Sequence, residues 1–161
     1  NCKEGYKMKK EKTLWFDMDG TIADLYGVNG WLAYLENEDV LPYKKASLLY
    51  EKKELIGLLQ KAKSHGYNIG IISWTSKNGS LDYSNRVKKA KIEWLNENGL
   101  LNLFDKILIE NYGVNKSVAC QKYGYGVLVD DEKNNLNSWN NGLTIDANEN
   151  IIKNIKKVLK F

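Results

Sequence analysis

One stretch of this sequence, Thr13-Leu14-Trp15-Phe16-Asp17-Met18-Asp19-Gly20-Thr21, is more informative than any other. An apolar segment runs directly into two carboxylates that are one residue apart. Such close like charges repel each other unless a cation lies between them. Gly20 allows a tight turn and a close approach of the backbone to a ligand, which a Cβ would hinder. The stretch therefore predicts a divalent metal and an anionic ligand at the end of a strand, with an ordinary acidic turn as the alternative.

The length and composition indicate one globular domain. The chain has 161 residues, of which 43% are hydrophobic and 27% charged, so it can bury a core without disulfide or metal staples. We expect the polar, lysine-rich residues 1–12 to form a flexible N-terminal segment and residues 13–161 to form a single domain. Cys2 and Cys120 suggest no disulfide framework, and no apolar run resembles a membrane span or a signal peptide. These features favour a cytoplasmic protein.

The charge of the chain is weakly positive. The formal net charge is +4, and Arg86 is the only arginine. A mild positive field attracts phosphate-bearing substrates but falls short of a dedicated nucleic-acid surface. The basic run 86–91 predicts the solvent-exposed face of an amphipathic helix. Its functional alternative is a contact with the phosphates of DNA or of a nucleotide.

Continuous apolar runs alternate with segments of helical periodicity along the chain. Strands are predicted at 13–16, 69–73, 106–109, 126–129 and 143–145, and helices at 48–62, 83–94, 115–123 and 151–159. Continuous apolar strands are covered on both faces, and strands that alternate with helices form parallel sheets. The sequence therefore predicts an α/β fold, a parallel sheet flanked by helices on both faces. A small insertion at about 24–46 follows the first strand.

The polar residues of interest all follow an apolar run or begin a helix. They are Asp17 and Asp19 after the first strand, Ser73 after the second, Lys116 at a helix start, and Asp130-Asp131 after the fourth strand. In parallel α/β sheets ligands bind at the carboxyl ends of the strands. Phosphoryl transfer needs such a set: a carboxylate nucleophile, a second acid for the leaving alkoxide, a hydroxyl and a lysine for the phosphoryl oxygens, and a cation with oxygen ligands, which favours Mg²⁺.

These residues resemble the four motifs of the haloacid dehalogenase (HAD) superfamily of phosphatases, in the order of that superfamily. Residues 16–21 are similar to its first motif, 71–73 to the second, Lys116 to the third and 128–131 to the fourth. The resemblance implies a Rossmann-like, HAD-type sheet with a minimal cap in the insertion after the first strand. It also implies an aspartyl-phosphate intermediate on Asp17, with Asp19 as the general acid and base.

The same resemblance implies the ligands of the metal and of the phosphoryl group. Mg²⁺ would be held by Asp17, by Asp19 through its backbone carbonyl, and by Asp130 or Asp131. Ser73 and Lys116 would bind the phosphoryl oxygens, next to Gly20. A shift of the alignment makes Thr75 the second-motif residue in place of Ser73, and Lys106 and Lys122 are alternatives to Lys116. Asp19 favours phosphate esters, because dehalogenases of the superfamily lack this second acid.

Within the superfamily, the sequence is most similar to 5′(3′)-deoxyribonucleotidases and to bacterial or phage nucleotidases. The similarity lies in the extended first motif 17–24, in 74–77 and in Ser138-Trp139. It implies a nucleoside monophosphate as the small-molecule substrate. Aromatic residues can stack on its base, and the candidates are Tyr26, Trp31, Tyr34 and Trp74. Packing in the core is the other explanation for Trp31 and Tyr34, which are three residues apart.

Three other functions compete with the nucleotidase interpretation. A polynucleotide 3′-end phosphatase would use the basic run 86–91, and this is the one alternative with nucleic acid as the partner. A sugar-phosphate phosphatase would use the same catalytic residues. A non-catalytic metal-binding module is disfavoured, because both Asp17 and Asp19 are present. The sequence does not indicate the oligomeric state.

Overall fold

The computed structural model of the protein describes residues 11–161. Cys2 and residues 1–10 of the N-terminal segment lie outside the described residues, and the first strand already begins at Lys12. The strands are β1 (Lys12–Phe16), β2 (Ala23–Asp24), β3 (Ser47–Leu48), β4 (Asn68–Trp74), β5 (Lys106–Glu110), β6 (Tyr125–Asp130) and β7 (Thr144–Asp146). The helices are α1 (Trp31–Glu36), α2 (Leu41–Lys45), α3 (Lys52–Ser64), α4 (Leu81–Glu97), α5 (Lys116–Cys120), α6 (Lys133–Ser138) and α7 (Ile151–Leu159), with short 3₁₀ turns at Leu101–Leu103 and Gln121–Tyr123.

The main sheet has five parallel strands in the order β5-β4-β1-β6-β7. The central strand β1 pairs with β4 on one side, where Phe16 is opposite Ile71, and with β6 on the other, where Phe16 is opposite Val129. All five strands therefore present their carboxyl ends at one edge. This confirms the α/β class predicted from the alternation of strands and helices.

Successive residues of β1 face opposite layers of helices. Leu14 and Phe16 belong to the larger core cluster, together with the buried faces of α3 and α7. Trp15 belongs to a second cluster on the other face, which includes Cys120 at the end of α5 and Trp139 after α6. Helices thus cover both faces of the sheet, as the continuous apolar runs predict.

The helix boundaries follow the capping residues. The Glu51 side chain accepts hydrogen bonds from the backbone N–H groups of Lys53 and Glu54, so α3 begins at Lys52. The predicted helix was wrong over its first residues, because Leu48 lies in β3, where it is paired with Ala23. At the other end α3 stops at Ser64, two residues beyond the predicted end, where His65 is the C-terminal cap and is followed by a glycine with φ of 85°.

The predicted insertion corresponds to a short antiparallel pair, β2 and β3, with helices α1 and α2 between its strands. Leu25 and Tyr43 from this segment pack against Tyr83, Val87 and Ala90 of α4 in a third buried cluster. The insertion is therefore anchored to the domain next to the carboxyl edge of the sheet. Within the described part of the chain, no helix combines the length and apolar character that a membrane span requires.

Candidate active site

Three carboxylates meet where the two central strands end. Asp17 follows β1 directly, and its N–H continues the ladder by donating to the Val129 carbonyl at 2.9 Å. Asp130 is the last residue of β6, and Asp131 follows it. One carboxylate oxygen from each of Asp17, Asp130 and Asp131 lies within 4.8 Å of the other two. The structure thus brings together the first- and fourth-motif acids that the sequence singles out.

Lys116 lies at the start of α5, with only 2% of its side chain exposed, and is bound to two of these carboxylates. Its Nζ donates to Asp17 Oδ1 at 2.9 Å and to Asp130 Oδ2 at 2.7 Å. Burial alone would lower the pKa of Lys116, but the two carboxylates outweigh burial and raise it. The ammonium group therefore stays charged. The alternatives to Lys116 lie elsewhere, since Lys106 pairs with Glu11 and Lys122 lies over the Tyr123 ring.

The two fourth-motif carboxylates have different surroundings. Asp130 is fully buried and accepts hydrogen bonds from the Glu132 N–H, the Asn135 side chain and Lys116. Asp131 is half-buried, and its protein donor is the Thr21 hydroxyl at 3.4 Å, a long contact. Burial, followed by the charge of Asp17, raises the pKa of both Asp130 and Asp131.

These carboxylates form a donor set that fits Mg²⁺. Carboxylate oxygens are the hard ligands that this ion prefers. Burial is the largest cause of the raised pKa of Asp130 and of Asp131 and the Asp17 charge is the second, and a cation among these acids would favour their ionised forms. Asp131 is the best placed to bind a metal directly, because Asp130 already accepts three hydrogen bonds from the protein.

Gly20 allows the first-motif loop to approach the fourth motif. Its φ is 77°, and a Cβ at this position would collide with the Asp131 carboxylate. Its N–H donates to the Ala23 carbonyl at 2.9 Å, so this amide is engaged within the loop. The observed role of Gly20 is thus to allow the turn and the close approach, and a phosphate contact of this residue stays a prediction.

Asp19 lies apart from the carboxylate cluster and is bound to a second lysine. Its Oδ2 accepts a hydrogen bond from Lys91 Nζ at 2.8 Å, while 18% of the Asp19 side chain remains exposed. Burial raises the pKa of Asp19, and the Asp17 charge adds to this, although Lys91 opposes both. The two first-motif acids therefore have different lysine partners, Lys116 for Asp17 and Lys91 for Asp19, although the Asp17 charge still acts on Asp19.

Lys91 corrects the interpretation of the basic run 86–91 as a solvent-exposed face. The Lys91 side chain is 1% exposed, and Arg86 is bonded to Asp82 and to the Glu38 carbonyl. The sequence does contain a signal for Lys91. It lies four residues after Val87 and three before Trp94, which places it on the buried stripe of α4. Because the run contains three lysines, the residue type alone does not distinguish the buried Lys91 from its neighbours.

The second-motif hydroxyls lie in different places. The Ser73 hydroxyl is buried and accepts a hydrogen bond from Lys91 Nζ at 2.8 Å. Thr75 and Ser76, just after β4, line the cavity in front of the carboxylates. The position of Thr75 is fixed by its N–H, which donates to the Glu110 carbonyl at 2.8 Å. The geometry therefore favours Thr75 over Ser73 for contact with a bound ligand.

A cavity of about 500 Å³ opens in front of these groups. Three of the four aromatic candidates line it, namely Tyr26, Trp31 and Trp74, whereas Tyr34 lines a separate recess with Asn29 and Gly30. Tyr26 and Trp31 meet edge to face, with ring centroids 4.9 Å apart. Two further aromatic residues that the sequence did not single out, Tyr43 and Tyr112, also line the cavity. The fold places Tyr43 and Tyr112 in the cavity wall, and no pattern in the sequence indicates this position.

Trp74 has structural contacts besides its place in the cavity wall. Its Nε1 donates to the Val114 carbonyl at 2.9 Å, and its ring packs against Tyr112 with the centroids 4.9 Å apart. Lys116 Nζ lies 5.0 Å from the ring centroid of Trp74. Trp74 therefore holds the loop before α5 and supports the lysine that binds Asp17.

No protein-family model and no curated protein matches this sequence. Among solved structures, the chain is similar to a haloacid dehalogenase-like family hydrolase from Streptococcus pneumoniae, with 13% identity and a TM-score of 0.49 over 81% of this chain and 80% of that one. It is also similar to a protein from Mesorhizobium loti named as a HAD-like phosphatase, with 14% identity and a TM-score of 0.40 over 93% of this chain and 86% of that one. Similarity this low gives no information on the reaction of this chain. The reaction is therefore inferred from the side chains of the site itself.

Proposed function

We propose that this chain is a Mg²⁺-dependent, HAD-type phosphomonoester hydrolase that acts on nucleoside monophosphates. The observation that supports this most is the separation of the two first-motif acids. Asp17 lies in the carboxylate cluster with Lys116, and Asp19 lies against Lys91 with a raised pKa. Two neighbouring carboxyl groups in different environments are suited to two different roles, one as nucleophile and one as proton carrier.

The proposed reaction has two steps. In the first, the Asp17 carboxylate attacks phosphorus, the bond from phosphorus to the leaving oxygen breaks, and Asp19 gives its proton to that oxygen. In the second, water attacks phosphorus of the aspartyl-phosphate, Asp19 takes the proton of this water, and phosphate leaves with Asp17 regenerated. Thr75 and Lys116 bind the phosphoryl oxygens, where charge is highest during both steps.

The metal belongs to the same proposal. Asp17 and Asp131 would hold Mg²⁺, with Asp130 and the backbone carbonyl of Asp19 as further ligands, and the bound cation would neutralise charge on the phosphoryl oxygens. Asp130 also orients Lys116 through the 2.7 Å hydrogen bond, which keeps the ammonium group beside Asp17. The chain thus supplies both oxygen ligands and a fixed positive charge.

A nucleoside as the leaving group is supported by the cavity. Its volume of about 500 Å³ lies within the usual range of small-molecule sites. We place the base against Tyr26 and Trp31, where stacking is favourable for any base. Tyr26 is 46% exposed and therefore open to a ligand. The insertion at 24–46 acts in this proposal as a small cap that covers the leaving group, and the cytoplasm is the proposed location.

The polynucleotide-end alternative loses its main support in the structure. Its predicted contact surface, the basic run 86–91, does not form one free face, because Arg86 is bonded within the protein and Lys91 is buried. Phosphatase activity on sugar phosphates is equally compatible with the catalytic residues. The apolar and aromatic lining of the cavity favours a base over a sugar alone.

The test is phosphate release from a panel of deoxynucleoside and nucleoside monophosphates, sugar phosphates and a 3′-phosphorylated oligonucleotide, in Mg²⁺ and in EDTA. We expect Mg²⁺-dependent turnover that is highest on the nucleoside monophosphates and absent from Asp17→Asn. Asp82→Asn is the matched control, because Asp82 is an exposed acid on α4. Preferred turnover of sugar phosphates or of the oligonucleotide would replace the substrate assignment. Activity of Asp17→Asn near that of the wild type would refute the nucleophile.

A further inference from the structure

Lys91 lies deep in the domain, although lysine is among the residues least often buried. It projects from the middle of α4, flanked on the same stripe by the buried residues Val87, Trp94 and Leu95. Burying an ammonium group is unfavourable unless acceptors surround it. The acceptors that surround Lys91 therefore indicate what this side chain does.

All three N–H donors of the Lys91 ammonium group have an acceptor. Nζ donates to Asp19 Oδ2 at 2.8 Å, to Ser73 Oγ at 2.8 Å and to the Trp74 carbonyl at 2.6 Å. Tyr43 adds a ring whose centroid is 5.3 Å from Nζ. An ammonium group has three donors and no acceptor, so Lys91 has no N–H left for a substrate.

We propose that Lys91 is a positioning residue that holds Asp19 in the orientation in which it exchanges a proton with the substrate. This rests on the proposed phosphatase function. Because Lys91 occupies Oδ2 of Asp19, Oδ1 is the oxygen left to carry the proton. The bond also fixes the side-chain rotamer of Asp19, which is partly exposed at the cavity.

Lys91 also connects two segments of the site. Asp19 belongs to the loop after β1, whereas Ser73 and Trp74 form the end of β4, just before Thr75. One ammonium group thus fixes the position of the proton-carrying acid relative to the end of β4, whereas Thr75 is held separately by the Glu110 carbonyl. Misplacement of a catalytic group by about 1 Å can reduce turnover by a factor of about 100.

The test is a double-mutant cycle on two substrates. The variants are Lys91→Met, Asp19→Asn and the double variant, and kcat is measured on p-nitrophenyl phosphate and on a deoxynucleoside monophosphate. The first substrate has a leaving group that needs little protonation, and the second has an alkoxide that needs it. The control is Lys89→Met, which replaces an exposed lysine on the same helix.

We expect Lys91→Met to lower kcat on the nucleotide by a factor of roughly 10 to 100 and to lower kcat on p-nitrophenyl phosphate far less. Asp19→Asn should show the same selectivity with a larger loss. The double variant should be no slower than Asp19→Asn, because Lys91 acts through Asp19. Lys89→Met should match the wild type on both substrates.

Two results would overturn the proposal and leave Lys91 with a purely structural role. One is a Lys91→Met variant that loses the same factor in kcat on both substrates. The other is a double variant whose loss in kcat is the product of the losses of the two single variants. Thermal unfolding shows whether each variant is folded. Should Lys91→Met not fold, Lys91→Gln takes its place in the cycle and is judged by the same criterion. A wild-type protein that is inactive on both substrates would refute the proposed function itself. The role of Lys91 alone would be refuted by an active wild type in which Asp19→Asn loses more kcat on the nucleotide than on p-nitrophenyl phosphate while Lys91→Met loses the same on both.

Discussion

Replacing Asp131 with asparagine should stabilise the metal-free protein while it impairs the binding of the metal. The Asp131 carboxylate lies within 4.8 Å of those of Asp17 and Asp130, and burial together with the Asp17 charge raises its pKa. A folded-state pKa above the ordinary value means that ionising this group opposes folding. The Asp131→Asn side chain is nearly isosteric and removes that charge at every pH.

The magnitude follows from the distances. Two unit charges 4.8 Å apart repel each other by about 3.5 kcal/mol at an effective dielectric constant of about 20. Asp131 has two such neighbours, but Lys116 offsets part of their charge, and solvent screens the half-buried Asp131 side chain. We therefore expect a net gain of about 1–3 kcal/mol in the free energy of unfolding, which corresponds to an increase in Tm of about 3–10 °C for a chain of this size.

The assay is thermal unfolding of both proteins in EDTA and in excess Mg²⁺, at pH 5 and at pH 8. In EDTA the wild type should lose stability as the pH rises above the ordinary aspartate range, because the unfolded chain then ionises Asp131 freely whereas burial and the Asp17 charge oppose that ionisation in the folded state. The advantage of Asp131→Asn should therefore be larger at pH 8 than at pH 5. Mg²⁺ should raise the Tm of the wild type more than that of the variant, since binding to the folded state stabilises it.

Two results would refute this reasoning. A lower Tm of Asp131→Asn in EDTA would mean that the carboxylate makes a favourable contact as it stands. An equal response of both proteins to Mg²⁺ would mean that Asp131 is not a ligand. Asp82→Asn serves as the control, because Asp82 pairs with Arg86 on the surface and its loss should cost at most about 0.5 kcal/mol.

The remaining predictions concern residues around the same cluster. Lys116→Met leaves buried carboxylates without their counter-charge, so we expect a loss of about 3–5 kcal/mol in EDTA, measured by urea unfolding, with partial recovery in Mg²⁺. Gly20→Ala places a Cβ at φ of 77° against Asp131, and both the Tm and turnover should fall, whereas unchanged values would contradict the close approach. Tyr83→Phe removes the 2.8 Å hydrogen bond to the Asp39 carbonyl and should cost about 1 kcal/mol, seen as a fall in Tm of about 2–4 °C, while retaining the buried ring.

The sequence predicts the fold well because its signals are local. Four strands of the main sheet, β1, β4, β5 and β6, contain apolar runs, and each run leads to polar residues at the same edge of the sheet. The start of α3 could not be located in this way, because Leu48 and Leu49 continue the helical apolar pattern. Glu51 sets the true boundary by capping the helix, and glutamate is not among the strongly preferred capping residues.

A residue of the candidate site is predictable from the sequence when a reactive side chain directly follows a predicted strand. Asp17 and Asp131 follow strands directly, so the topology alone brings them together. Lys91 is different, because it is remote in sequence from its partners and lies in a run of surface-like lysines. The aromatic residues of the cavity are also hard to predict. Tyr34 shares α1 with Trp31 yet lines another recess, because a separation of three residues does not give two side chains the same contacts.

The two buried lysines have a common electrostatic explanation. Four carboxylates face two ammonium groups in the site, namely Asp17, Asp19, Asp130 and Asp131 with Lys91 and Lys116. When all are ionised, the set carries a formal charge of −2, which one divalent cation would neutralise and a monovalent cation would not. A phosphate ester would then enter a neutral site rather than an anionic one. Each lysine has its own partners, so that Lys116 neutralises charge on Asp17 and Asp130 while Lys91 neutralises charge on Asp19, and neither donates to the carboxylates of the other.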